Sequence, residues 1–476
     1  MQNNGQLNKE VLILGAGPAG LACAFELSKA KKQFLAIEKN EAVGGLSRTL
    51  QFGDYQTDIG PHRFFSQNKY LYEMIEDLLG EHWLKVNRLT RFFIDGKFFL
   101  YPIDLKDALK NVGWKRAIKI IFDYTTQKIK NIFSKKSQKN FEQKAVADFG
   151  RSLAELNMLN YTEKIWGLAC SEISTDWADQ RIKGLSLLGV VKKAIFKSNK
   201  GPKTLVDQFY YPDQGNSLIY ETMKNQASSS GEFMFTSYPL KIVHSNEKIT
   251  EVIIKNSDKT FSVTPEQLVS SIPITELINL LSPQPNSEIL RAAQKLKFRS
   301  HLSLFLILNN KQTVFPDQWI YLPNQEIPFG RIMEPKNFSA KMSPTNKTSL
   351  LLEFFCWEND NIWHSTKEKL LEISLPHLEK LGVEKQFIGE TFLHKEKYAY
   401  PVYDINYQEN LAPVKKYLSR FENLFLIGRA GSFRYNNQDH ALEMGILAAR
   451  SIIDHKKYDI EQVGAEQTYF EKGYVK

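Results

Sequence analysis

Two hydrophobic rhythms alternate along the chain. Residues 11–14 (Val-Leu-Ile-Leu) form an unbroken apolar run, the pattern of a strand buried on both faces of a parallel sheet. A helical stretch follows over 21–29, and residues 33–37 (Gln-Phe-Leu-Ala-Ile) supply a second strand. Beyond it the spacing becomes that of amphipathic helices, as over 69–79 and 141–159, and residues 66–200 read as largely helical. Another helix is predicted over 217–225. Residues 231–273 then alternate apolar and polar positions, as in 248–255 (Lys-Ile-Thr-Glu-Val-Ile-Ile-Lys), which predicts a β-meander. Strands of a second sheet are predicted at 300–308 and 348–356, followed by a helix at 366–381. A strand at 423–427 runs into Gly428, and a helix at 439–453 closes the pattern.

This order predicts an α/β fold: a Rossmann-like domain built from non-adjacent segments, an inserted β-sheet substrate domain and a helical region. The expected divisions are 1–65 for the first βαβ unit, 66–200 for the helical and substrate region, and 201–275 for the return to the first domain with its meander. Residues 276–410 would form the substrate sheet domain and 411–476 the closing strand and helix.

The junctions between these elements carry the candidate chemistry. Gly15-Ala-Gly17-Pro18-Ala19-Gly20 lies between the first strand and the first helix, and Glu38 follows 18 residues after Gly20, beside Lys39. In that context the glycines allow a tight turn, close approach to a pyrophosphate and close helix packing, while the acid accepts from ribose hydroxyls. Gly44-Gly45-Leu46-Ser-Arg48 resembles the second phosphate-contacting loop of two-domain FAD proteins. The late strand entering Gly428-Arg429 fits their closing element, where Asn437, Gln438 and Asp439 open a helix. These features favour FAD over NAD as the tightly bound cofactor. Gly60-Pro61-His62 presents an imidazole on a loop, either beside a flavin ring or satisfied within the loop. Tyr161, Trp166 and Arg181 suit a stacked base and a diphosphate, with a core role for Trp166 as the alternative reading. Arg331 is a phosphate clamp or a surface charge, and Tyr400, Tyr403 and Tyr435 crowd the late loops.

Composition narrows the classes. The chain has 476 residues with 42% hydrophobic and 24% charged, an ordinary globular balance able to bury a large core. The three scattered cysteines, Cys23, Cys170 and Cys356, argue against a disulfide framework and a metal cluster. No nucleophile, HExxH, CxxC or P-loop motif is present, so the reaction chemistry is expected to reside in the flavin. The net charge is +9, and its excess lies in two segments, 104–144 at net +7 and 192–203 at net +5. The first interleaves bases with Trp114, Ile118, Ile121, Phe122, Ile129, Ile132 and Phe133. It reads either as a solvated basic face or as a helix for an anionic membrane surface. Nucleic acid is not expected, because no nucleic-acid motif accompanies the charge. The polar N-terminus and the lack of a spanning apolar segment lead to an expected cytoplasmic location, peripheral at the inner face of the membrane if the basic segment docks there.

Several motifs together resemble the UDP-galactopyranose mutases. Gly60-Pro-His62 looks like their Gly-Pro-His segment, and Tyr161-Thr-Glu-Lys-Ile-Trp166-Gly their Tyr-Thr-x-Lys-Gln-Trp-Gly. Arg331-Ile-Met-Glu-Pro-Lys is similar to their Arg-Ile-x-Glu-x-Lys, and the stretch from Gly428-Arg429 to Tyr435 to their Gly-Arg…Tyr. The matches keep their order from residue 11 to about 453. The resemblance implies a reduced-flavin enzyme whose N5 attacks the anomeric carbon of a nucleotide sugar, interconverting pyranose and furanose without net oxidation, for surface polysaccharide synthesis. It implies that Arg181 and Arg331 clamp the diphosphate and that Tyr435 contacts it. His62 would lie near the flavin, and Tyr161 and Trp166 would line the uridine and sugar pocket; Tyr400 and Tyr403 of the late loops are further substrate-binding candidates. NAD(P)H or a reductase would supply electrons. The chain departs from them at Arg63-Phe-Phe after His62 and at Asn-Asn after Tyr435, and its Tyr161-Thr-Glu-Lys-Ile-Trp166-Gly and Tyr435-Asn-Asn-Gln-Asp-His440 segments also resemble a branch of amine-oxidase-like and protoporphyrinogen-oxidase-like flavoproteins. That branch implies hydride transfer from a small-molecule substrate to FAD as the alternative.

Overall fold

The first strand, Gln6–Leu14, lies at the centre of an eight-stranded sheet, with Val11, Leu12, Ile13 and Leu14 fully buried. In the computed structural model, which describes residues 6–66, 68–101, 111–133, 137–177, 208–309 and 313–464, its neighbours on both sides run parallel to it. On one side Val11 pairs with Phe34 and Leu14 with Ile37 of the strand Phe34–Ile37, which in turn pairs in parallel with Gly231–Met234. On the other side stand Lys259–Ser270 and then Leu424–Leu426. Helix Pro18–Lys29 covers one face and packs against the closing helix Gln438–Ile453. Both faces of these strands are thus buried, which explains their continuous apolar runs.

The alternating segment predicted after residue 231 divides between two roles. Gly231–Met234 joins the parallel set, while Ser237–Ser245, Lys248–Asn256 and Lys259–Ser270 form an antiparallel meander at the sheet edge.

A second sheet of seven strands carries the other wall of the molecule. Its order is Ile388–Pro401, Phe298–Leu308, Thr348–Cys356, Arg331–Met333, Trp319–Tyr321, Thr90–Ile94 and Lys97–Leu100. The last two strands correct the helical reading of 66–200. Trp83–Asn87, Thr90–Ile94 and Lys97–Leu100 all come from that segment. Asp95 and Gly96 have φ of 51° and 77°, the two left-handed positions of a primed hairpin turn, between runs of Phe and Ile. Helix 141–159 is also interrupted. It ends at Phe149 before Gly150 (φ +76°), and a π turn spans Ala154–Leu159 before Asn160–Trp166 resumes. The helices Lys69–Leu79, Ser217–Ala227 and Lys367–Lys380 occupy their expected places, the last with Thr366 as its N-cap.

Candidate functional site

A cavity of about 920 Å³ opens between the two sheets. The parallel sheet supplies its floor from the turn after Leu14, with Gly15, Gly17, Pro18 and Ala19, and from Glu38 and Lys39 after the second strand. That turn is tightly closed. Gly15 has φ +94° and donates its N–H to Ile37 O at 2.8 Å, and a Cβ on Gly20 would sit 1.9 Å from Gly15 O. Gly20 therefore acts through packing and does not face the cavity. A Cβ on Gly17, by contrast, would meet no protein atom closer than Gly45 Cα at 3.8 Å, so the space above it is open. Glu38 Oε2 accepts from the Ala16 N–H at 2.9 Å and Oε1 from Asn40, which aims the buried carboxylate along the cavity edge.

The second loop seats itself on the first. Gly44 donates to Ala16 O at 2.9 Å, while Gly45, Leu46 and Arg48 reach the cavity. Arg48 is held by Glu396 Oε1 at 2.7 Å and donates to Gly45 O at 3.3 Å. From the hairpin Thr49–Phe52 and Tyr55–Asp58 the chain enters Gly60, Pro61 and His62. Asp58 anchors this entry, accepting from Thr49, Tyr211 and Asn216. Burial raises its carboxyl to about 6 against the pull of those bonds.

Opposite lie Arg331, Tyr398, Tyr400, Arg429 and Tyr435. Arg331 donates to Glu353 Oε2, which also meets His301 Nε2 at 2.9 Å, and its Nη2 lies 3.3 Å from the Tyr400 hydroxyl. Burial alone would push Glu353 up and Arg331 down. Their mutual attraction wins, so the carboxyl stays below its ordinary range and the guanidinium well above its own. Tyr400 and Tyr435 stack at 5.8 Å, and the Arg429 guanidinium lies 5.2 and 5.1 Å from their ring centres. Arg429 also donates to Ala399 O and Asn436 O. Burial, reinforced by Arg429, drives His62 down to about 3, so its imidazole is neutral; its Nδ1 has no hydrogen-bond partner among the described residues.

The remaining expected residues fall elsewhere. Trp166 is buried behind the wall, edge-on to Tyr400 and Tyr435, and Tyr161 touches the cavity-lining Tyr321 at 5.1 Å. Tyr403 is also behind the wall. It stacks on Tyr407 at 4.3 Å, and its hydroxyl accepts from the Tyr435 N–H at 2.8 Å. Gly44 and the buried Asp439 do not line the cavity, whereas Gly428, Asn437 and Gln438 do. Arg181 lies outside the described residues. Glu353 and Glu396 are the functional candidates that sequence reasoning missed. Glu353's signal was a single acid in an otherwise apolar strand, Thr-Ser-Leu-Leu-Leu-Glu-Phe-Phe-Cys. Among the described residues no cluster of His, Cys, Asp and Glu could hold a metal.

A strand–glycine turn–helix with a carboxylate past the second strand, under a two-walled cavity, defines a dinucleotide-binding fold. The fit to FAD is physical. The open space above Gly17 would admit a pyrophosphate at the helix N-terminus, Glu38 would meet a ribose, and His62 lines the cavity with a buried Nδ1 that has no hydrogen-bond partner among the described residues. The model of the flavin containing amine oxidoreductases matches residues 18–453, and the chain belongs to that family. It is a flavoenzyme with FAD as its cofactor.

Relatives point in two directions. The 1-hydroxycarotenoid 3,4-desaturase of Flavobacterium sp. (strain P99-3) is 24% identical over 51% of this chain and 53% of its own length. The "Probable UDP-galactopyranose mutase" of Klebsiella pneumoniae is 28% identical over 35% of this chain and 43% of its own. The chain thus spans about half the length of these curated relatives. A crystal structure of reduced UDP-galactopyranose mutase superposes with a TM-score of 0.81 at 20% identity, covering 97% of both chains. Putrescine oxidase bound to putrescine gives 0.64 at 13% identity, over 94% of this chain and all of that one. These likenesses share the fold.

Proposed function

We propose that this flavoenzyme is a nucleotide-sugar mutase that interconverts pyranose and furanose forms without net oxidation. The observation that carries the reading is the charge of the wall facing the cofactor floor. Arg331 and Arg429 both line the cavity beside the stacked Tyr400 and Tyr435, and the imidazole there is neutral. Two guanidiniums repel a cationic amine and attract a diphosphate.

When bound in its reduced form, FAD would supply a nucleophilic nitrogen for chemistry at the anomeric carbon. The chain's residues do the rest. Arg331 and Arg429 hold the diphosphate as negative charge grows on it. The aromatic pair supplies a flat surface for the organic part of the substrate. His62, at about 3, stays neutral at physiological pH and does not add a third positive charge. Electrons come from NAD(P)H or a reductase, and the location is cytoplasmic.

The test is dithionite-reduced protein incubated with UDP-galactopyranose and, separately, other UDP- and dTDP-hexoses, with products resolved by chromatography. Interconversion of one of them supports the reading, and none with any of them rejects it.

One observation favours a hydride-transferring oxidoreductase instead. Glu353 neutralises Arg331, which leaves Arg429 to carry the wall's net charge. Under that reading an organic substrate bleaches the oxidised flavin anaerobically without dithionite.

A further inference from the structure

The helix Trp114–Phe133 stands out on the surface. Seven of the twelve exposed large hydrophobic side chains among the described residues lie on it: Trp114, Ile118, Ile121, Phe122, Ile129, Ile132 and Phe133. Isolated apolar side chains on a surface are ordinary, but a contiguous set is not. At 3.6 residues per turn these seven fall within an arc of about 120°. Trp114 is 70% exposed, Phe122 70% and Phe133 85%.

The opposite side of the helix is anchored. Ala117 and Tyr124 are buried, and Ile120 packs on the cluster of Phe92, Ile94, Phe99 and Leu156 that also touches Tyr321 of the cavity wall. Asp123, the helix's one acid, is turned away and accepts from the Ser152 N–H and hydroxyl at 2.7 Å. The apolar arc is bordered by bases. Lys128 lies along one edge, and Lys115, Lys119 and Lys130 along the other. No helix among the described residues is long and apolar enough to cross a membrane.

We propose that the outward face of the helix Trp114–Phe133 docks this flavoenzyme on the surface of an anionic lipid bilayer. A stripe of Trp, Ile and Phe flanked by lysines matches an interface where acyl chains lie beneath negative headgroups. The rings and branched chains enter the apolar boundary, and the lysines remain at headgroup level. A protein partner with a purely apolar groove would leave the flanking lysines without complement. The anchored inner face means that docking orders nothing new, so the helix meets the bilayer already formed.

The test uses the full-length holoprotein with vesicles of phosphatidylcholine alone and of phosphatidylcholine mixed with phosphatidylglycerol. Flotation should carry the yellow protein with the mixed vesicles and not with the neutral ones, less so as salt is raised. The variant Ile118→Glu, Phe122→Glu, Ile129→Glu should lose at least about tenfold in vesicle partition, as expected when buried apolar groups become charged. Flavin absorbance equal to the wild type certifies its fold. In a second measurement, the fluorescence lost on Trp114→Phe should be the component that shifts blue on vesicle binding. No partition at low salt, or partition unchanged in the triple variant, overturns the proposal. So does a dimer in solution that Phe122→Glu dissolves while vesicles remain unbound, which would assign the face to a second copy.

Discussion

Arg331 and Glu353 stand directly opposite one another on adjacent antiparallel strands, and the guanidinium donates to the carboxylate inside the protein. Glu353 is fully buried, and His301 shares the same carboxylate oxygen. Removing one partner of such a pair strands the other charge. Glu353→Ala should therefore cost about 3–5 kcal/mol in stability, measured by denaturant unfolding of the holoprotein. The double variant Glu353→Leu, Arg331→Met should cost clearly less than the sum of its single changes, because neither charge is then left unpaired. Additive losses would show that the pair does not couple. Glu353 is held below its unfolded value. Its contribution is thus complete above about pH 4.3 and is lost as pH falls through the lower folded value.

Two glycines of the first turn should separate folding from cofactor binding. A side chain on Gly20 collides with Gly15 O, so Gly20→Ala should destabilise the protein itself. On Gly17 an added Cβ enters open space, so Gly17→Val should fold and weaken FAD by about tenfold or more, since bulk there blocks approach to the pyrophosphate. Flavin fluorescence titration and thermal melting of the apoprotein distinguish the two. Equal FAD affinity in Gly17→Val would move the pyrophosphate elsewhere.

Much of this arrangement was legible along the chain, where it depends on short-range pattern. The buried first strand, the glycine turn, Glu38 and the strand Thr348–Cys356 follow from period and spacing alone. The hairpin of Thr90–Ile94 and Lys97–Leu100 carried its own signal in Asp95-Gly96, which the aromatic density around it obscured. The charge partners were not legible. Arg48 meets Glu396 across a separation of 348 residues, and Glu353 reaches Arg331 and His301 only because three strands pair in register. Trp166 and Tyr403 show the converse limit. Their residue types suit a pocket, but packing places both one layer behind it.

The buried Asp439 gives a prediction about pH. Burial pushes its carboxyl up to about 8, far above the usual aspartate value. Between roughly pH 4 and 8 the unfolded chain releases this proton and the folded protein keeps it, so stability falls as pH rises through that window. Asp439→Asn removes the term. Its stability relative to wild type should rise between pH 5 and 8, with a slope no steeper than about 1.4 kcal/mol per pH unit. Parallel stability curves for the two proteins would mean that Asp439 is ionised when folded.

Tyr403 tests whether the layer behind the cavity matters to what the cavity binds. Its hydroxyl is the acceptor for the Tyr435 N–H at 2.8 Å, and the ring is fixed by Tyr407. Tyr403→Phe keeps the ring but removes that acceptor, so stability should drop by about 1 kcal/mol. Because Tyr435 stacks on Tyr400 beside Arg429, the freed segment also loosens the aromatic and cationic wall. UDP affinity, measured by calorimetry on reduced holoprotein, should fall about threefold to tenfold through that misalignment. Arg331→Met acts directly on the diphosphate and should weaken UDP more, by at least about tenfold through a lost charge-assisted bond. If Tyr403→Phe lowers stability as expected but leaves UDP affinity untouched, the wall is rigid without its backing, and Tyr403 serves the core alone.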